Sequence, residues 1–237
     1  MEVVILCGGK GTRLMPVTEK IPKPLFHIGD RPILWHVMKL YAAKGHKDFI
    51  LLVGYRGDMI REYFSKPENV EQDWNIKFVD TGLNATKGER LKQAESHVTG
   101  DNFILTYADD LSDVDINKVI DMHMRSGKVV TITAVQLKSI FGVLDIDGSE
   151  VKGFVEKPQL DNWMSGGYIV LNREIFNRLQ PGKDETDAFE ALAPQGQVQA
   201  FRHDGFWKTM NTITDANELN EMWDRGELQK KLYPNKS

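Results

Sequence analysis

Short β-rich apolar runs alternate with amphipathic stretches through the first half of the chain. The runs that predict strands are Val3–Leu6, Phe49–Val53, Ile76–Val79 and Phe103–Tyr107. The helices predicted between them are one that Pro32 opens and Gly45 closes, Asp58–Phe64 and Glu89–Val98. Such alternation is typical of βαβ units, whose strands are parallel. The sequence therefore predicts an α/β fold with a mixed, mostly parallel sheet flanked by helices.

The pattern changes after a further predicted helix, Ile116–Met124, for which we expect Asp115 to be the N-cap. Four more predicted strands follow with little helix between them: Val129–Val135, Phe141–Ile146, Val151–Val155 and Tyr168–Leu171. This spacing is typical of the antiparallel part of a large sheet. We expect these strands to continue the same sheet, and Asp215–Leu232 to form one helix on its outside.

Length and composition limit the classes of function. The 237 residues, 41% hydrophobic and 27% charged, suit a single globular domain, 1–237. With a net charge of −4 and dispersed cations, no nucleic-acid partner is expected. Cys7 is the one cysteine, so no internal disulfide can form, and a reducing cytoplasm is expected. No apolar window approaches the roughly 18 residues of a membrane span, so no membrane partner is expected.

A glycine-rich loop follows the first predicted strand. Residues 8–14 are Gly-Gly-Lys-Gly-Thr-Arg-Leu, and Pro22-Lys23-Pro24 comes shortly afterwards. Glycines so closely spaced let backbone N–H groups approach an anion, and Arg13 and Lys23 add two positive charges. Phosphate is the ligand that suits such a loop.

The loop taken alone also fits a plain glycine turn with solvated charges. It does not match the P-loop pattern, because no Gly-Lys-Ser/Thr ending follows. It does not match the dinucleotide-binding fingerprint either, because the third glycine of that motif is missing. A phosphate site of another kind is therefore the functional interpretation.

Together with later motifs, this loop resembles that of the sugar-1-phosphate nucleotidyltransferases, with the glucose-1-phosphate cytidylyltransferases most similar. The shared motifs run nearly end to end and include Asp80-Thr81-Gly82, Thr106-Tyr107-x-Asp109, Glu156-Lys157-Pro158, Gly166-Gly167-Tyr168 and Gly205-Phe206-Trp207. The resemblance implies a Rossmann-like fold of the nucleotide-diphospho-sugar transferase type. It also implies a nucleotide-binding part at about 1–125, an acceptor-binding part at about 126–215 and a C-terminal helix at about 215–232.

The implied reaction transfers a nucleotidyl group, CMP from CTP, to a sugar 1-phosphate or similar phosphorylated acceptor and releases pyrophosphate. The residues implied as catalytic are Arg13, Lys23 and Asp109. Those implied in nucleotide binding are Leu6, Gly8, Gly9, Gly11, Thr12, Arg13, Lys23, Thr81, Gly88, Arg90, Tyr107 and Ala108. Those implied in binding the acceptor are Asp110, Glu156, Lys157, Gly166, Gly167 and Tyr168. The implied cofactor is Mg²⁺, held by Asp109 and Asn211, and the implied assembly is a homo-oligomer.

Several residues depart from the family pattern. Asn211 replaces an aspartate that ligates metal in the family, and Asp110 stands where the family tends to have glycine. Lys87 and Glu89 replace small or neutral residues in the nucleotide-reading segment. Arg90, in the same segment, also fits the solvated side of a helix. Two alternatives stay open: the same chemistry with UTP, dTTP or GTP, and a non-catalytic or regulatory paralogue that only binds nucleotide or sugar phosphate.

Overall fold

A seven-stranded sheet forms the centre of the computed structural model, which describes residues 1–234. The strands, numbered in chain order, lie side by side as β12 (Val198–His203), β8 (Val130–Lys138), β11 (Gln159–Asn172), β6 (Asn102–Tyr107), β1 (Val3–Leu6), β4 (Asp48–Val53) and β5 (Asn75–Asp80). Strand β11 is antiparallel to both neighbours, and the other four pairings are parallel. The predicted mixed, mostly parallel sheet is thus confirmed.

Helices cover both faces of the sheet. They are α1 (Ile33–Ala42), α2 (Gly57–Phe64), α3 (Lys87–Gln93), α4 (Ile116–Ser126), α5 (Glu185–Leu192), α6 (Ile213–Asp224) and α7 (Glu227–Leu232). Helices α3 and α5 pack on one face, and the other five pack on the opposite face. Val3 and Ile5 point into the larger core, whereas Val4 and Leu6 point into the smaller one. Burial on both sides explains why β1 is continuously apolar.

The early predicted elements are present with shifted ends. Helix α3 begins at Lys87, because Thr86 and Glu89 form a reciprocal capping box, and it ends at Gln93 instead of Val98. Asp115 does precede α4, but its side chain makes no capping hydrogen bond. In residues 1–234, no helix is both long and apolar enough to cross a membrane.

The expected continuity of the sheet beyond β8 is wrong for two strands. Strands β9 (Val143–Asp147) and β10 (Glu150–Val155) form a separate antiparallel pair, here called the ribbon. The reason is that β8 and β11, which flank the ribbon in sequence, hydrogen-bond directly to each other. No edge is left between them for two more strands, so the ribbon projects from the sheet.

The C-terminal segment forms two helices, so the single helix predicted at 215–232 is also wrong. Helix α6 ends at Asp224, and Gly226, with a φ of 70°, reverses the chain before α7. Leu219 and Leu228 are fully buried, so both helices belong to the core.

Two pairs of short strands complete the fold. They are β2 (His27–Ile28) with β3 (Arg31–Pro32), and β7 (Asp110–Ser112) with β13 (Trp207–Thr209). The second pair brings Asp110 opposite Thr209 and so joins two distant parts of the chain. Strands of two or three residues are too short for an alternating pattern to reveal.

Candidate active site

A cavity of about 850 Å³ opens at the carboxyl ends of β1 and β6. Strand β1 lies between β4 and β6, because the chain first leaves it on one side and later returns on the other. Ligands of open α/β sheets bind at the carboxyl ends of strands where the strand order reverses in this way. The predicted residues that line the cavity are Leu6, Gly8, Gly9, Gly11, Lys23, Arg90, Tyr107, Ala108, Asp109, Asp110 and Asn211.

Lys23 joins three segments at the centre of this cavity. Its Nζ donates hydrogen bonds to Asp109 Oδ2 and, over 3.0 Å, to Asn211 Oδ1. The Lys23 and Asp109 side chains are mostly shielded from solvent, with 16% and 19% of their surfaces exposed. Low exposure strengthens the interaction of these charges relative to a surface ion pair. The structure thus brings together a predicted phosphate-binding cation and both predicted metal ligands.

Backbone and side-chain contacts fix Asn211 beside Asp109. The Asn211 Nδ2 donates to Thr209 Oγ1 over 3.1 Å, and its backbone N–H donates to Asp215 Oδ2 over 2.9 Å. The backbone N–H of Met210 donates to the carbonyl of Asp109 over 2.9 Å. The amide oxygen of Asn211 is therefore held towards Lys23, as a metal ligand would need.

The oxygen atoms beside the Lys23 ammonium are of the type that Mg²⁺ binds. A carboxylate oxygen of Asp109 and the amide oxygen of Asn211 both lie within hydrogen-bonding distance of one ammonium group. Within residues 1–234, no group of three or more His, Cys, Asp or Glu side chains could hold a metal ion. Mg²⁺ commonly binds through one or two protein oxygens and completes its shell with water and substrate phosphate. The residues present fit that mode of binding.

Asp110 lies deeper in the wall than Asp109. Its side chain is buried, and burial together with the neighbouring Asp109 carboxylate raises its pKa well above the usual range. A Cβ added at Gly167, where φ is 81°, would lie 2.6 Å from Asp110 Oδ2. Only glycine fits there without strain. Gly167 and Asp110 are thus in contact, although Gly167 itself does not line the cavity.

Arg90 supports the glycine loop from behind. The side chain is buried, and its Nη1 donates to Thr81 Oγ1 and to the Gly82 carbonyl. A Cβ added at Gly8 or Gly54 would lie 2.4 Å from Nη1. The interpretation of Arg90 as the solvated side of a helix is therefore wrong, and these glycines give the guanidinium room.

The remaining predicted residues do not line the cavity. Thr12 and Arg13 are exposed in a single 3-10 turn, Thr12–Leu14. Glu156 and Lys157 are exposed where the ribbon ends. The others are buried around the cavity: Thr81, Gly88, Gly166 and Tyr168. Gly88 packs on the start of α5, because a Cβ there would lie 2.4 Å from the Lys183 carbonyl oxygen.

Sequence reasoning missed the contribution of α5 to this region. Asp184 and Thr186 line the cavity, and Glu185 between them accepts a 2.6 Å hydrogen bond from the Tyr107 hydroxyl. Trp207, which also lines the cavity, donates from Nε1 to the Gly166 carbonyl over 2.8 Å. No local motif marks Glu185, and its helix was not predicted.

Comparison with known proteins shows a match to one family over most of the chain. The family described as nucleotidyl transferase matches residues 2–223. The chain belongs to this family. It is 39% identical to the glucose-1-phosphate cytidylyltransferase of Salmonella typhimurium over 256 aligned residues, which cover 98% of this chain and 100% of that protein. It is 37% identical to a probable glucose-1-phosphate cytidylyltransferase of Bacillus subtilis, with the same coverage.

The fold also matches solved structures. A UDP-glucose pyrophosphorylase complexed with UDP-glucose superposes with a TM-score of 0.77 over 95% of this chain and 98% of that one, at 19% identity. The predicted Rossmann-like fold is therefore confirmed. The cavity of this nucleotidyl transferase combines a glycine loop that a phosphate can approach closely, a central cation and oxygen ligands. These groups suit positioning and charge stabilisation at a phosphate.

Proposed function

We propose that this protein transfers CMP from CTP to a sugar 1-phosphate and releases pyrophosphate. A phosphate oxygen of the acceptor attacks the α-phosphorus, and the bond from that phosphorus to the pyrophosphate oxygen breaks. The observation that carries this proposal is the convergence of Lys23 on Asp109 and Asn211 beside the glycine loop. The similarity to two cytidylyltransferases supports the choice of base and acceptor.

The chain's own groups would act by positioning and electrostatics. The backbone N–H groups of Gly8 to Gly11 would donate to phosphate oxygens, and Lys23 would balance charge as the phosphorus is attacked. Arg13, exposed at the loop, would add a second cation. Mg²⁺, when held by Asp109 and Asn211, would supply further neutralisation of phosphate charge.

The acceptor would contact residues of the second half of the chain. Lys157 would pair with the sugar phosphate and Glu156 with sugar hydroxyls, as the resemblance implies. Both are exposed, and Lys157 has a φ of 49°. A charged side chain held in a rare backbone conformation is consistent with a functional role. Asp110 and Gly167 would border the acceptor from the wall of the cavity.

The same chemistry with UTP, dTTP or GTP stays an alternative, and so does a non-catalytic binding protein. Asn211 is the observation that favours the second. A neutral amide in place of a carboxylate removes one negative charge from the ligands of a divalent cation, which weakens binding. Binding of nucleotide without turnover would then be the result.

The test is a matrix of each nucleoside triphosphate against a panel of sugar 1-phosphates with Mg²⁺, followed by pyrophosphate release. We expect release with CTP and one acceptor. Lys23→Ala and Asp109→Asn should each lower kcat/KM by at least about a hundredfold, because each removes a charge at the reacting phosphates. Lys20→Ala is the matched control, since Lys20 is exposed on the same segment and should change nothing.

Silence across the whole matrix would contradict catalysis. Bound CTP with no release would favour the non-catalytic protein, and Asn211→Asp should then restore turnover. Release with another triphosphate would correct the base and keep the chemistry.

We also propose that the protein is a homo-oligomer. The ribbon exposes apolar side chains on both of its strands: Val143, Leu144, Ile146, Val151, Phe154 and Val155 are each at least 42% exposed. Leu144 pairs with Phe154 and Ile146 with Val151 across the ribbon, and apolar side chains exposed in this way are typical of an interface. Light scattering after size exclusion should give a multiple of 27.0 kDa for the native protein. Leu144→Ser with Phe154→Ser should shift it towards the monomer, and a native monomer would contradict the proposal.

The proposed compartment is the cytoplasm, and the proposed product is a nucleotide sugar for polysaccharide synthesis. Support for the first is the unpaired, buried Cys7, which suits a reducing environment. Fractionation of expressing cells would test it, with recovery outside the cytoplasmic fraction as the contrary result. Loss of a polysaccharide on deletion would test the second, and an unchanged polysaccharide would contradict it.

A further inference from the structure

Glu185 is a fully buried carboxylate close to the cavity. None of its surface is exposed, and its Oε1 accepts the hydrogen bond from the Tyr107 hydroxyl. Its Oε2 has no hydrogen-bond partner among residues 1–234. The cation near it is Lys87, whose Nζ lies 3.6 Å from Oε1. The α5 position of Glu185 thus places an acid with one unpartnered oxygen under the cavity wall.

Burial of such a group is costly, so it calls for a reason. A carboxylate removed from water destabilises the fold unless its charge and lone pairs are compensated. Here one tyrosine hydroxyl and one half-exposed ammonium provide that compensation. A buried oxygen without a hydrogen-bond partner therefore needs an explanation in the structure or the function of the site.

The two partners of Glu185 both face the cavity. Lys87 and Tyr107 line it, and the Lys87 ammonium lies 5.5 Å from the centre of the Tyr107 ring. Asp184 Oδ2 lies 4.0 Å from the same ammonium. Glu185 therefore holds a cation and an aromatic ring together at one part of the wall.

This part of the wall is continuous with the glycine loop. Lys87 and Arg90 belong to the same helix, α3, and Arg90 packs directly behind Gly8. The residues proposed for the acceptor lie elsewhere: Glu156 and Lys157 follow the ribbon, Gly167 lies on β11 and Asp110 on β7. A ligand group that meets the Lys87 ammonium would thus belong to the molecule seated on the glycine loop.

We propose that Lys87 is a specificity-determining residue that donates a hydrogen bond to an oxygen of the bound nucleotide. Glu185 is then the positioning residue that holds Lys87 and Tyr107 in place. This inference rests on the proposed function only in taking the glycine-loop ligand to be a nucleoside triphosphate. Glu185 touches no ligand and acts through its two partners.

The test measures the dissociation constant of CTP, without acceptor, by calorimetric titration. Lys87→Met should weaken binding by about tenfold, the loss of one charge-assisted hydrogen bond. Glu185→Gln should weaken it by a smaller factor, and the double variant should bind no more weakly than Lys87→Met alone. Lys183→Met is the matched control, because its exposed side chain pairs with Asp187 outside the cavity and should leave CTP binding unchanged.

Kinetics separate this role from a merely structural one. Lys87→Met should raise KM for CTP with KM for the acceptor unchanged, whereas its melting temperature should fall, because the buried Glu185 carboxylate loses its cation. An unchanged CTP dissociation constant in Lys87→Met, or a change in acceptor KM alone, would overturn the inference. Additive effects in the double variant would overturn the role of Glu185.

Failure of the proposed function leaves a different signature. In that case, pyrophosphate release is absent from the native protein, yet the titrations can still show whether Lys87 and Glu185 set nucleotide affinity. A native protein that binds no triphosphate would overturn both proposals.

Discussion

The glycine-loop wall of the cavity and the ribbon carry the two halves of the proposed site, and they are built differently. The wall rests on buried strands, with Arg90 packed behind Gly8 and Lys23 bonded to Asp109 and Asn211. Glu156 and Lys157 are exposed where the ribbon ends, next to a strand pair that is separate from the sheet. The nucleotide half is therefore preformed, whereas Glu156 and Lys157 of the acceptor half have few contacts that fix their position, unlike the buried Asp110 and Gly167.

The two halves differ in what fixes their structure. Packing in the core fixes the wall, so substitutions there should lower the stability of the whole fold. Exposed apolar side chains on the ribbon indicate that a further surface is needed to fix it. Substitutions there should change acceptor binding or assembly with little effect on the monomer's stability.

The largest effect should come from Gly8→Ala. The added Cβ would lie 2.4 Å from Arg90 Nη1, so the buried guanidinium must move. We expect a loss of roughly 1–3 kcal/mol in the free energy of unfolding, measured by denaturant titration. Gly9→Ala is the matched control, because an added Cβ there meets nothing within 4 Å. Equal stability of the two variants would show that the packing of Arg90 behind Gly8 does not fix the wall of the cavity.

The next effect tests the ribbon. Lys157→Gln removes one exposed charge and should raise KM for the acceptor by about tenfold, the range expected for one charge-assisted contact. The melting temperature and the CTP dissociation constant should not change, because Lys157 packs against nothing in the core. Lys152→Gln is the control, since Lys152 is exposed on β10, the ribbon strand that ends just before Lys157. A fall in stability in Lys157→Gln would show that the ribbon supports the fold.

The smallest effect is a pH dependence of the melting temperature that comes from two buried histidines. Burial lowers the pKa of His36 and of His123 from the ordinary value of 6.5. Between the lowered pKa and about 6.5 the unfolded chain binds more protons at these two sites than the folded one, so their contribution to stability falls as pH drops below about 6.5. The raised pKa of Asp110 acts in the opposite direction, so the comparison is between two proteins. From pH 7.5 to 5.5 the melting temperature of the native protein should fall relative to that of His123→Gln.

A difference in melting temperature between the two proteins that stays constant over this range, or changes in the other direction, would mean that His123 does not destabilise the protonated fold. Hydrogen exchange should also quicken in β6 and β8, which bond to His123 through Asn102 and Thr131, before it changes in the ribbon.

The sequence predicted the wall well and the ribbon poorly. Continuous apolar strands mark β1, β4 and β6, because burial on both faces leaves a strong pattern, and the loop after β1 follows from its glycines. Lys23, Asp109 and Asn211 could be grouped only through the resemblance, since they are far apart in the chain. Their contact depends on the pairing of β7 with β13, which is too short to predict.

Other features depend on tertiary contacts that leave no local signal. The ribbon is separate from the sheet because β8 and β11 hydrogen-bond directly to each other, and no pattern in the strands of the ribbon predicts this. The burial of Arg90 depends on the room that Gly8 and Gly54 leave. Glu185 lies in a helix that carries no sequence motif, and only its contacts with Tyr107 and Lys87 indicate a role.

Phosphorus NMR of a reaction that contains CTP, glucose 1-phosphate and Mg²⁺ tests nucleotidyl transfer most directly. We expect loss of the triphosphate signals and appearance of free pyrophosphate and a new diphosphate diester in equal amounts. Asp109→Asn should abolish these changes. Formation of CMP and pyrophosphate without a diester, or unchanged CTP while its binding persists, would contradict nucleotidyl transfer to the sugar phosphate.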